Sequence, residues 1–398
     1  MAKLIEITGK ALSGEWGTDD ETGNGIPVLR TTNFTNEGIV DYSNVVTRNI
    51  VKKGIEEKYL RNGDIIIEKS GGSDKQPVGR VIYFDGPEHT YLFNNFTGLL
   101  RVKNQEKWHP RYVFYSLFTN YRSGGTRTFQ NKTTGLHNLK TDDYVSSFNV
   151  TEIDIATQEA ICKKLDLVSG IIRMHQKQLQ KLDDLVKARF VELFGNPISN
   201  PMKWDIYQLE ECLERIDNGK SFICSDKPRN GDNPAILKLS AATYGDYRPN
   251  ENKALLDESL FVESSEVHAG DLLFTRKNTP ELVGTAAYVQ NTPPKLMMPD
   301  LIFRLVPNEK VNAVFLWQLI NCKEFRPVIQ AISGGSAKSM SNISKERLGK
   351  IKVICPPREL QDSLIPFVKR VDKSKVVVQK ALDEAQTLFD SLMQEFFG

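Results

Sequence analysis

The chain has 398 residues, 40% hydrophobic and 9% aromatic, which is enough apolar material for about two packed domains and too much for a disordered chain. Lys and Arg number 52 against 50 Asp and Glu, a formal net charge of +2 that excludes a uniformly cationic, histone-like binder but leaves room for a local basic face. The start MAKLIEITGK lacks the apolar region of a secretion signal, and no apolar run approaches the roughly 20 residues that span a bilayer, so a cytoplasmic protein is expected.

In chain order, the first region carries short β-rich runs bounded by turn residues, Gly63-Asp64-Ile65-Ile66-Ile67-Glu68 and Gly79-Arg80-Val81-Ile82-Tyr83-Phe84. One helix follows at 109–120 (HPRYVFYSLFTN). Next, Ile161, Leu165, Val168, Ile172, His175, Leu179, Leu182, Val186, Arg189 and Leu193 alternate at spacings of four and three. That period of 3.5 predicts a coiled-coil helix from about 155 to 194, stopped by Gly195 and Pro197. A second β-rich region has Asp271-Leu272-Leu273-Phe274-Thr275 and Leu301-Ile302-Phe303-Arg304-Leu305-Val306, with one helix at 311–322. Pro356-Pro357 then precede a second seam of Leu364, Val368, Val371, Lys375, Val378, Leu382, Ala385, Phe389, Leu392 and Phe396. Pro366 inside that pattern predicts a kink or break, and Gly170 softens the first helix in the same way. His175 and Lys375 read as register devices or solvent-reaching side chains.

The two halves are one pattern written twice. RFVELFG ending at Gly195 returns as SLMQEFFG ending at Gly398, 203 positions later. At that offset Gln158 meets Gln361, Ile161 meets Leu364 and Leu179 meets Leu382. Upstream the offset drifts, yet Gly63-Asp64-Ile65-Ile66 still meets Gly270-Asp271-Leu272-Leu273, and Val78-Gly79 meets Val283-Gly284. The expected fold is α+β: two similar globular domains separated by two long antiparallel coiled-coil helices with pseudo-twofold symmetry, a two-headed rod. Packing of each helix on its own globular region is the alternative.

Catalytic signatures are missing. There is no phosphate-binding loop with a G-K-[ST] ending, no G-x-G-x-x-G and no G-x-S-x-G. Asn196-Pro197 and Asn200-Pro201 lack the second proline and aromatic of an adenine-methyltransferase tetrapeptide, and Pro299-Asp300 has no Glu-x-Lys after it. The five cysteines form no C-x-x-C pair and read as reduced thiols; the five histidines fit no zinc spacing, and no metal is expected. A binder or scaffold is therefore a better reading than an enzyme. Both globular regions carry loops rich in Lys, Arg, Asn, Ser, Thr and Gly, the side chains that suit phosphates and base edges. In the first they are at 29–33, 69–72 and 122–132; in the second at 237–240, 275–278 and 334–342, with Tyr244 and Arg248 in a further loop. Ordinary solvated surface loops remain the alternative.

At the end of the second unit, Ser333-Gly334-Gly335-Ser336, Ser341-Asn342-Ile343, Ile351-Lys352-Val353-Ile354-Cys355-Pro356-Pro357 and Glu359-Leu360-Gln361 stand together with the tandem organisation and the two Gly-Asp runs. In these the whole chain resembles the specificity subunit of a type I restriction-modification system. The first junction departs from the pattern, with Asn149-Val150-Thr151-Glu152-Ile153-Asp154 where the double proline would be.

The resemblance implies target recognition domains at 1–150 and 199–354, with spacer helices at 151–198 and 355–398. Each domain would read one half of a split site in double-stranded DNA, and the helices would set the gap. The helices would also dock two modification subunits that methylate adenine at N6, joined in cutting systems by a motor subunit. No cofactor is expected on this chain: S-adenosylmethionine belongs to the methyltransferase, ATP and Mg to the motor. The residues carried as DNA contacts are Arg30, Thr32, Asn33, Lys69, Arg127, Gln130, Lys132, Lys238, Tyr244, Arg276, Lys277, Asn278 and Lys338. Two other readings stay open: a coiled-coil scaffold joining two protein partners, and a self-contained restriction or methylation enzyme.

Overall fold

The computed structural model describes residues 1–74, 76–133, 136–334 and 340–398, with the backbone alone of Lys132 and Thr133. It divides into two units, Met1–Gln176 with Lys380–Gly398, and Lys177–Gln379.

The first unit is built on a four-stranded antiparallel sheet in the order Leu12–Ser13, Thr97–Leu100, Ile65–Glu68, Val81–Tyr83. Ile65, Ile66 and Ile67 are all fully buried, because Ile65 and Ile67 face one core and Ile66 the other. The first core holds the helix Pro110–Arg122; the second holds Leu29, Phe84 and Phe93. Beside this sheet, Ile26–Leu29 pairs antiparallel with Val46–Asn49 and parallel with Leu92–Phe93. A third, smaller sheet joins Ser70–Gly72, Leu136–Leu139 and Gln130–Thr133.

The second unit repeats the plan. Its four-stranded sheet runs Leu213–Asn218, Ile302–Pro307, Leu272–Thr275, Ala286–Tyr288, again antiparallel throughout. Ala235–Leu237 pairs antiparallel with Asn252–Ala254 and parallel with Leu296–Met297, and Lys277–Asn278 pairs with Ser341–Asn342. The recurring Gly-Asp dipeptide has a shared cause. Gly63 (φ 93°) and Gly270 (φ 99°) take the left-handed turn that glycine favours. Asp64 then accepts from the Arg61 N–H (2.7 Å), and Asp271 from the His268 N–H (2.9 Å), closing the turn before the strand.

Both long helices form as the spacing predicts, Ile155–Phe194 and Arg358–Phe397. Asp154 caps the first, accepting from the Thr157 N–H (2.9 Å) and hydroxyl (2.6 Å), bonds that hold its carboxyl below the usual carboxylate range. Pro357 stands at the same place in the other copy, so a cap and a proline serve as alternative helix starts. The expected break at Pro366 does not occur: the helix passes through it, as does the first helix through Gly170. Pro366 and Asp362 are both exposed, so water can take the Asp362 carbonyl that the missing N–H leaves unbonded. Each region also has more than the one helix expected. Leu4–Thr8, Thr141–Ser147, Arg326–Ala331 and Lys345–Gly349 are too short to show a period.

Within the first unit, the helical segments run antiparallel: Lys164 lies over the Phe396 ring (5.7 Å), while Ile172 and Arg173 line a cleft with Gln386 and Phe389. The second unit does the same, with Asp183 bonded to Lys375 (2.7 Å) and Arg189 over Phe367 (5.9 Å). Lys375 thus has a defined ionic partner at its seam position. Aromatic side chains join helix to globular region. Phe190 and Phe194 pack on Phe315 at 5.7 and 4.9 Å, and Phe397 packs on Tyr112 at 5.1 Å.

Replacing Pro366 with Ala should restore one helical hydrogen bond and raise stability by up to about 3 kcal/mol, measured by urea unfolding of the full chain.

Candidate nucleic-acid interface

In the first unit, Arg30 ends the strand Ile26–Leu29 and opens a 3-10 turn at Thr31–Asn33. Asn33 is 1% exposed. Its Oδ1 accepts from the Arg30 N–H (2.9 Å), and its Nδ2 donates to the carbonyls of Asp41 (2.9 Å) and Asn44 (3.1 Å). The Asn33 amide is therefore engaged inside the head and shapes the loop. Thr32 is exposed, and Arg30 is half-buried with one Nη donating to the Asn44 carbonyl (3.2 Å). Arg80 fastens this loop to the main sheet: its guanidinium bridges buried Glu68 (3.0 Å) and donates to the carbonyls of Thr31 (3.0 Å) and Phe34 (3.2 Å). Lys69 follows Glu68 directly. Its Nζ donates to Ser13 Oγ (3.0 Å) in a polar cleft of about 490 Å³ lined by Ser70, Asn138 and Asp142, and burial pushes its ammonium below the ordinary lysine value. Arg127 is exposed on the turn entering the small sheet, whose Gln130 contacts His137 Nδ1 (3.1 Å). Lys132 lies on the strand Gln130–Thr133; its side chain is outside the described atoms.

In the second unit, Lys238 ends the strand Ala235–Leu237 and opens the turn Leu239–Ala241, with Nζ 3.7 Å from Glu251. Arg276 follows the strand Leu272–Thr275, stacks over Phe303 (4.9 Å) and donates to Asn342 Oδ1 (3.3 Å). Lys277 is half-buried beside it. Asn278 is 7% exposed; its Nδ2 donates to Thr243 Oγ1 (3.1 Å), and the Thr243 hydroxyl donates to the Leu239 carbonyl (2.8 Å). Asn278, like Asn33, ties two loops together from the inside. Tyr244 is 59% exposed, with the Arg248 guanidinium over its ring (4.7 Å) and held by Asp246 (2.8 Å). Lys338 lies outside the described residues.

The two heads therefore present basic side chains at matching places. The Arg30 carbonyl accepts from the Asn33 N–H and the Lys238 carbonyl from the Ala241 N–H (2.8 and 3.0 Å). The Lys69 N–H donates to Phe96 O and its carbonyl accepts from Leu139; the Arg276 N–H donates to Leu301 O and its carbonyl accepts from Ile343. The offset that sets Gly63 on Gly270 also sets Lys69 on Arg276, and the pairing of the strands shows that both basic positions share their backbone bonds. Among the described residues, the buried side-chain atoms without a hydrogen-bond partner include Arg30 Nε, Gln130 Nε2 and Arg276 Nε. Among the described residues no cluster of three or more His, Cys, Asp or Glu could hold a metal ion, and no helix is long and apolar enough to cross a membrane.

The described residues thus form a duplicated α+β head with basic loops at equivalent positions. Residues 2–184 match the family described as the type I restriction modification DNA specificity domain. The chain is 32% identical over 202 residues to the specificity subunit of the type I restriction enzyme EcoEI of Escherichia coli, a stretch that is 49% of this chain and 34% of that protein. It thus spans about a third of that relative. Over 405 residues it is 23% identical to the EcoKI specificity subunit of E. coli K12, covering 94% of this chain and 81% of the relative. The crystal structure of the type I restriction-modification S subunit from M. genitalium superposes with a TM-score of 0.58 at 13% identity, covering all of this chain and 95% of that one, so the two share a fold.

Arg80→Met leaves the Glu68 carboxylate buried and unpaired. A loss of about 3–5 kcal/mol is expected by denaturant unfolding, the range for breaking one side of a buried ion pair.

Proposed function

We propose that this chain is the non-catalytic DNA-specificity subunit of a type I restriction-modification assembly and reads a bipartite target in double-stranded DNA. One head, 1–150, binds one half-site, and the other, 199–354, binds the second. The helical segments 151–198 and 355–398 pair as an antiparallel coiled coil that separates the heads and sets the gap. The same helices dock two adenine-N6 methyltransferase subunits, and in a cutting assembly a motor subunit joins them. S-adenosylmethionine sits on the methyltransferase and ATP with Mg on the motor, all in the cytoplasm.

The observation that carries this reading is the equivalence of Lys69 with Arg276 and of Arg30 with Lys238. Each pair occupies one backbone position in two copies of one head. Repeated basic positions on a repeated scaffold suit a ligand whose charge repeats, as the phosphates of a duplex do. The other candidates divide by role. Thr32, Arg127, Gln130, Lys132, Lys277, Tyr244 and Lys338 contact bases or phosphates, while Asn33 and Asn278 hold the reading loops in shape. A spacing change of one base pair rotates one half-site by about 34–36° relative to the other, so rigidly held heads would reject it.

Deleting the gene and sequencing the methylome of the source cell should remove N6-methyladenine from one split motif. An unchanged methylome, together with no salt-dependent binding of random duplex by the purified assembly, would leave the protein scaffold as the reading. Lys69→Ala and Arg276→Ala should each weaken binding at a different half-site. Each should also lower the slope of log affinity against log salt by about one for every phosphate that is no longer neutralised.

A further inference from the structure

Gln158 and Gln361 are polar, carry no charge and are 0% exposed. Each lies in the first turn and a half of a long helix. The Gln158 Oε1 accepts from the His109 N–H (2.9 Å), and its Nε2 donates to the carbonyls of Lys107 (3.0 Å) and Ile153 (2.8 Å). The Gln361 Oε1 accepts from the Asn312 N–H (2.9 Å), and its Nε2 donates to the carbonyls of Lys310 (2.9 Å) and Pro356 (2.7 Å). Every one of the four positions in the first set meets its counterpart at the offset of 203.

The partners have a common meaning. His109 and Asn312 are the N-cap residues of the head helices Pro110–Arg122 and Ala313–Asn321. Ile153 and Pro356 immediately precede the caps of the long helices. One carboxamide thus staples the start of a head helix to the start of a long helix, satisfying three backbone groups that would otherwise be buried without partners. Neighbouring polar contacts are not shared. The first joint adds Arg111 and Tyr115 on Asp166, the second Asn312 and Arg358 on Asp362. Only the glutamine staple is common to both copies among these contacts.

We propose that Gln158 and Gln361 are positioning residues that lock each head to its long helix and thereby make the protein selective for the gap between half-sites. This rests on the bipartite reading above. A head free to swivel on its helix could follow a half-site through the rotation that an added or removed base pair imposes, whereas a locked head could not. The lock touches no reading loop, so it governs spacing and leaves half-site sequence alone.

The test uses the full chain with the subunits that co-purify with it. Half-sites selected from a random duplex library are resynthesised at the selected spacing and at one base pair shorter and longer. Absence of split-site binding by the unaltered assembly would overturn the DNA reading itself, before any variant is compared. Gln158→Met and Gln361→Met remove all three bonds at similar volume. Gln158→Glu and Gln361→Glu keep the acceptor and lose both donations, a second route if the Met variants do not fold. In variants that still melt cooperatively, the preference for the selected spacing should fall about tenfold, as expected when buried backbone groups lose their partners, with half-site sequence preference unchanged. Equal weakening at all three spacings, a changed half-site sequence, or failure of all four variants to fold would overturn the proposal and make the glutamines plain core supports.

Discussion

A helix with an apolar stripe draws most of its stability in a protein from the packing of that stripe, and everything in this molecule follows from how the stripe of each long helix is covered. Each long helix is divided between the two units, and each part is buried by aromatic and aliphatic side chains of the globular region beside it. Phe190 and Phe194 enter the core around Phe315 with Leu364 and Val368, while Phe389 and Met393 enter the core around Tyr115 with Ile161 and Leu165. The helices are consequently not struts attached to finished domains. They supply part of each domain's interior, and a head's placement on its helix is set by the same packing that stabilises it.

Polar groups refine that placement. Inside each head, loops that would otherwise be held only by short strands are tied down by buried bridges: Arg80 with Glu68 in the first, Asn278 with Thr243 in the second. The two heads solve the same problem with different chemistry. Such divergence at equal topology lets one scaffold carry different loop shapes, and hence different ligand preferences, while its strands keep their order. The Gly-Asp turn shows the opposite behaviour. Both copies keep it, and an arginine from a neighbouring strand reaches each aspartate, Arg101 to Asp64 at 2.7 Å and Arg304 to Asp271 at 3.1 Å. Burial pushes the Asp271 carboxyl up while the His268 N–H and Arg304 pull it down.

Much of this architecture was legible in the residues. The alternation from Ile161 to Leu193 gave the first long helix to within its observed ends, and the β-branched runs after Gly63 and Gly270 gave the central strands. The duplication was visible because helix-forming and turn-forming residues keep their spacing. Other features depend on distant backbone and left no local trace. The parallel pairing of Ile26–Leu29 with Leu92–Phe93 joins segments more than sixty residues apart. Asn33 and Asn278 carry the side chains of base readers, yet carbonyls and hydroxyls brought from elsewhere engage them. Pro366 looked like a breaker because propensity is local, whereas Leu364 and Val368 on either side are buried strongly enough to hold the helix through it. The equivalence of Gln158 and Gln361 was readable as a match of letters; its meaning required the loops at Lys107 and Lys310 to be folded.

The first unit is discontinuous. It contains Met1–Gln176 and then Lys380–Gly398, and between them lies the whole of the second, 203 residues long, the same length as the repeat. The second unit is contiguous in sequence, whereas the first is closed by a segment from beyond it, whose Phe389 and Met393 cover part of its core. Without that segment Tyr112, Tyr115 and Leu165 would line an incomplete core. The integrity of the first half therefore depends on residues that follow the whole of the second in the chain.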